Sequence, residues 1–129
     1  MLLNRRKVSE AAVHAAERRE RESAAGLLLV QVPRLATLEI AVEERRGDIK
    51  IGETRHVRRF VVNQAPALFE MRCTDRRCTE GGHDLTWQVM NSLRAMAGRF
   101  EGEHTCDGNI GQDGCDRVLR FIGTATYRD

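Results

Sequence analysis

Leu38-Glu39-Ile40-Ala41-Val42-Glu43 sets large apolar side chains against charged or small ones at every second position. That alternation is the signature of a half-buried β-strand, because successive side chains leave a strand on opposite faces. The segments on either side follow from it. Arg45-Arg46-Gly47-Asp48 makes a turn, and Ile49 and Ile51 make a short return strand. Residues 57–62 hold a β-branched and aromatic run that predicts a third strand, ended by Asn63-Gln64-Ala65-Pro66. Beyond the proline, Phe69, Met71 and Cys73 share one face and Glu70 and Arg72 the other. Residues 100–106 and 118–127 read as two further strands.

Helical patterns appear at two places. Asp84 is placed to cap a helix beginning at Leu85, with Gln88 near the position a capping box uses. Leu85, Val89, Leu93 and Met96, with Trp87 and Met90 nearby, form an apolar stripe that predicts packing on the sheet. At the N-terminus, Ser9 can cap a helix running to about Gln31, with Glu10 favourably placed in its first turn. Gly26 opens a second possibility, in which the helix ends there and residues 27–32 form a strand. Large apolar residues are missing between Val13 and Leu27, so the first half of that helix cannot bury much surface. The expected architecture is α+β. An N-terminal helical arm (1–33) precedes a zinc-binding body (34–129), in which a largely antiparallel sheet carries one packed helix and a four-cysteine metal-knuckle end.

The cysteines are the most informative residues. Cys73 and Cys78 are separated by four residues and Cys106 and Cys115 by eight, each pair at the end of a predicted strand. Tetrahedral zinc takes four sulfur or nitrogen ligands, usually as two local pairs, and two loops at one end of a sheet can supply them. The chain resembles zinc-ribbon modules in carrying two cysteine pairs on hairpin-like loops. Its spacings depart from the C-x2-C of that pattern, so the resemblance implies no family function. Disulfides and four unrelated buried thiols remain the competing explanations. His83 and His104 are alternate ligands that would give a three-cysteine, one-histidine site. A shell of four cysteines leaves no position open for water, which argues against zinc catalysis.

No other constellation points to an enzyme. His83-Asp84 is better explained by the helix cap than as a metal-binding pair. The loop from Asp107 to Asp113 has oxygen ligands but Gln112 where an EF-hand requires glycine. Phosphate-binding loops and the nucleophile-elbow motif are missing from the sequence. A nucleophilic Cys78–His83 pair lacks an orienting third group.

A net charge of +2 does not by itself call for nucleic acid. The distribution says more. Lys7 and Lys50 are the sole lysines, and residues 55–99 carry eight arginines against four acids. Arg55, Arg58 and Arg59 open one strand, and Arg72, Arg76 and Arg77 surround the first cysteine loop. Brought together, they would make a face for nucleic acid or another polyanion. Codon bias toward arginine, with the charges paired on a solvated rim, is the plainer explanation. The other expected partner is a protein complex, or a second copy of the chain, met through the exposed N-terminal helix. Apolar runs stay far below the roughly 18–20 residues that span a bilayer. The basic start is followed by no apolar stretch, so a cytoplasmic protein is expected.

Overall fold

The computed structural model describes residues 2–46, 49–50 and 55–129. Two long strands form the centre of the fold. β1 (Leu35–Arg46) and β9 (Arg117–Tyr127) run antiparallel along nearly their whole lengths, from Leu35 opposite Tyr127 to Arg46 opposite Arg117. β6 (Arg99–Thr105) lies on the far side of β9. β2 (Ile49–Lys50) and β3 (His56–Phe60) both pair with β1 on its other side, completing a five-stranded sheet. The alternation at Leu38 thus marks a strand twice as long as the six residues that display it. Gly47, Asp48 and Ile51 of the predicted turn and return lie outside the described residues.

One face of this sheet forms the core. Leu38, Ile40 and Val42 point into it from β1, Leu119, Phe121 and Ala125 from β9, and Phe100 from β6. Phe100 stands opposite Gly123 and Phe121 opposite Gly102. Each ring lies across the neighbouring glycine, so closely that a Cβ on Gly123 would overlap the Phe100 ring. The two rings meet edge to face at 6.4 Å, a favoured aromatic geometry. Over them packs α3 (Thr86–Arg94), through Val89, Met90 and Leu93.

That helix starts one residue later than expected. Asp84 Oδ1 accepts the Thr86 amide at 3.0 Å in a turn preceding the helix, and Leu85 occupies the cap position. Gln88 donates to the Glu103 carbonyl of β6 instead of closing a capping box. The apolar stripe is shorter than predicted as well. Met96 has a positive φ beyond the helix end and is exposed, and Trp87 points outward at 76 % exposure.

The N-terminal helix also departs from expectation. α1 spans Leu2–Ala25, beginning ahead of Ser9 and ending before Gly26. Gly26 adopts φ +76°, a left-handed conformation that glycine reaches without a Cβ clash, and so terminates the helix. Neither proposed continuation holds. Leu27 makes a single bridge to Pro66, and the one-turn α2 (Leu28–Gln31) follows. The Leu28 amide donates to Ala65 O and the Ala67 amide to Gly26 O, at 2.9 and 2.8 Å, which pins this junction to the body. Leu28 and Val32 are buried in the core.

Candidate metal centre

Two loops build the site. β4 (Glu70–Arg72) leads into Cys73, and the chain passes Cys78 before returning as β5 (Gly82–Asp84), antiparallel to β4. β4 pairs with β5 and not with the main sheet, making a small hairpin of its own. The second loop leaves β6 at Cys106, forms the short hairpin β7 (Asn109–Ile110) and β8 (Asp113–Gly114), and reaches Cys115 just before β9. This hairpin carries no apolar alternation, which is why the sequence showed only a loop.

Backbone hydrogen bonds join the loops. Thr79 and Asn109 exchange amide-to-carbonyl bonds of 2.8 and 3.2 Å. The Cys106 amide donates to Arg117 O and the Cys115 amide to Gly108 O, both at 2.9 Å. All four sulfurs consequently lie within 4.8 Å of one another. Cys73 Sγ is 3.7 Å from Cys115 Sγ, and Cys78 Sγ is 3.7 Å from Cys106 Sγ. Sulfurs placed about 2.3 Å from a tetrahedral centre stand about 3.8 Å apart. The observed spacing is therefore compatible with a four-sulfur metal shell, and both 3.7 Å approaches run between the loops.

Two glycines make room for this convergence. A Cβ on Gly81 would overlap Cys78 Sγ and come within 2.8 Å of Cys106 Sγ. One on Gly108 would overlap Cys78 Sγ and lie 2.5 Å from the Gly81 Cα. The cavity is thus fitted to sulfur and excludes even a methyl group.

The four cysteines are free thiols in this structure. Burial pushes the Cys78 thiol up to about 11, helped by the neighbouring Cys106, and raises Cys73 further. Burial acts on Cys106 in the same direction. There the Gly108 amide, 3.4 Å from the sulfur, and the three other thiols outweigh it, holding Cys106 below the usual thiol range. Cys106 thus carries the negative charge most readily, while Cys73 and Cys78 hold their protons until a cation favours the thiolates.

A buried charge network supports the first loop. Glu44, 2 % exposed, continues the inward phase of Leu38, Ile40 and Val42. Its carboxylate accepts the Thr74 amide at 3.3 Å and lies 3.6 Å from Cys73 Sγ. Arg117 reaches both Glu44 (3.8 Å) and Asp75 (3.6 Å). Asp75 accepts the backbone amide and the guanidinium of Arg77, and these contacts, with Arg117, hold its carboxyl far below the ordinary range. Extending the β1 alternation by two residues would have found Glu44. No sequence signal distinguished Gly81, Gly108 or Arg117.

His83 and His104 contact each other, with their Nδ1 atoms 3.1 Å apart, and the group within ligand distance consists of the four cysteines. Burial, above all, lowers the His83 pKa, and His104 Nε2 faces Asp107 at 3.6 Å. Arg59 pairs with Glu39, Arg77 with Asp75, and Arg58 stacks over Phe60 at 5.3 Å. Arg55 lines a groove of about 700 Å³ on the open sheet face, among Glu43, Glu101 and Glu103. Arg72 and Arg76 are exposed.

No helix among the described residues is long and apolar enough to cross a membrane. Comparison with protein-family models, with curated proteins and with solved structures finds no match.

Proposed function

We propose that the chain is a non-enzymatic binding module whose cysteine loops are locked by one structural zinc ion. Cys73, Cys78, Cys106 and Cys115 are its ligands. The gathering of four sulfurs within 4.8 Å of one another, with two separations of 3.7 Å near the edge length of a tetrahedral thiolate shell, supports this reading. Zinc suits four soft ligands without redox chemistry, and a closed shell gives a structural ion rather than a catalytic one. Thiolates that must stay reduced to hold the metal fit a cytoplasmic setting.

The partner is proposed to be a protein, met through α1. Over residues 12–25 that helix carries mostly exposed, small or polar side chains, and Arg21 to Glu70 at 2.9 Å is its one ion pair with the body among the described residues. A polar helix standing off its own domain has surface to offer another molecule. A polyanion such as nucleic acid is the second reading, favoured by the exposed guanidinium groups of Arg58, Arg72 and Arg76. Deleting residues 1–24 should abolish assembly and leave the body folded. Replacing Arg58, Arg72 and Arg76 by Gln should leave assembly intact. A steep loss of binding with salt, carried by these arginines, would favour the nucleic-acid reading, because phosphate neutralisation releases counterions.

A further inference from the structure

The cross-loop approach of the sulfurs has a chemical consequence. Cys73 meets Cys115 and Cys78 meets Cys106, each at 3.7 Å, although the cysteines nearest in sequence are 73 with 78 and 106 with 115. One member of each contact is half-buried (Cys73, Cys78) and the other buried (Cys115, Cys106). Each contact therefore joins a sulfur within reach of a small oxidant to one shielded from it. Because the backbone bonds between Thr79 and Asn109 hold the loops together, each pair stays in register while its sulfurs close to the roughly 2.05 Å of a disulfide.

We propose that the centre is a peroxide-sensitive switch: a hydroperoxide oxidises the four cysteines to the disulfides 73–115 and 78–106 and so releases the ion they hold. In each pair the half-buried cysteine, a thiolate while it holds the ion and a thiol that first loses its proton once the ion is removed, attacks the peroxide oxygen; the O–O bond breaks and a sulfenic acid forms as water departs. The buried partner thiolate then attacks that sulfur. The S–O bond breaks, the hydroxide takes a proton to leave as water, and the disulfide forms. Two hydrogen peroxide molecules accept the four electrons of four thiolates, four protons are consumed, and four waters result. Disulfide sulfur is a poor zinc ligand, because the thiolate is the metal-binding form. Both disulfides cross between the loops that the metal ties together, so the oxidised chain keeps the same two loops joined by covalent bonds.

The switch presupposes the zinc reading only for the identity of the released ion; the disulfide connectivity is independent of it. Hydrogen peroxide is added to the full-length chain as purified and, separately, after chelation. The products are cleaved at arginine and at aspartate, which separates Cys106 from Cys115 at Asp113, and the linked peptides are identified by mass spectrometry. The expected result is 73–115 and 78–106 in both samples, with loss of all four titratable thiols. As-purified protein should release one zinc per two peroxides. The Cys73→Ser, Cys115→Ser double variant should still form 78–106. Local disulfides 73–78 and 106–115, intermolecular links, stable sulfinic acids, or oxidation with zinc retained would each overturn the proposal. A chain that carries no zinc would sink the function proposed above, and its connectivity after peroxide would still decide this one.

Discussion

Gly81 and Gly108 admit no side chain, because Cys78 Sγ occupies the space where either Cβ would go. Gly81→Ala and Gly108→Ala should each destabilise the fold by about 1–3 kcal/mol, the usual cost of overfilling a packed site, and weaken metal binding as well. Gly114→Ala, in the same loop with nothing within 4 Å of its Cβ, should do neither. Thermal melts with and without zinc make the comparison. Equal effects at all three positions would contradict the packing described here. Asp75 is the residue with a pH signature. Its arginine partners lower its pKa in the folded chain, so its contribution is complete above the unfolded value of about 3.9 and fades as pH falls through the lower folded value. Asp75→Asn should therefore lower the melting temperature by a constant amount from pH 5 to 7, and the gap should narrow below about pH 4. A gap that instead widens on acidification would reverse the sign argued here. The four cysteines of the candidate site were legible in the sequence because cysteines are rare and paired. Glu44 lay within reach of the β1 alternation, but the glycine supports were not legible, since a glycine's role depends on a neighbour that only the folded chain brings close.

At the scale of elements, the existence of β1 and β9 and the core face of α3 followed from apolar periodicity, whereas the pairing of those two strands did not. Patterns weaker than that misled. The hairpin of β7 and β8 is made of polar and glycine residues held by backbone bonds. The end of α1 is decided by the left-handed conformation at Gly26, which periodicity does not reveal. Ser9 looked like a cap, yet the residues before it are themselves acceptable in a helix, and α1 runs through it. The junction after Gly26 matters more than the arm. Leu28 is fully buried, and Leu28→Ala should cost about 2–5 kcal/mol. Removing residues 1–24 should leave the melting temperature of the body nearly unchanged, because the described part of α1 meets the body chiefly through the Arg21–Glu70 pair, and exposed ion pairs add little. If the truncation melts far lower than the Leu28 variant, α1 belongs to the core and not to an arm.

On the scale of the whole molecule, the sheet and α3 form one hydrophobic core, while the cysteine loops extend beyond it and depend on polar contacts. Residues 73–82 and 106–116 bury few large apolar side chains, so a metal bond network is the natural source of their stability. Chelation should accordingly destabilise the loops first, with hydrogen exchange rising across both cysteine segments before it rises in β1 and β9. The most direct measurement is elemental analysis of untagged protein purified under reducing conditions, with thiol titration alongside. The expected result is about one zinc per chain and four thiols that react only after chelation. No metal together with four thiols that react at once would contradict the zinc centre and leave the sulfur cluster a packing feature of the fold.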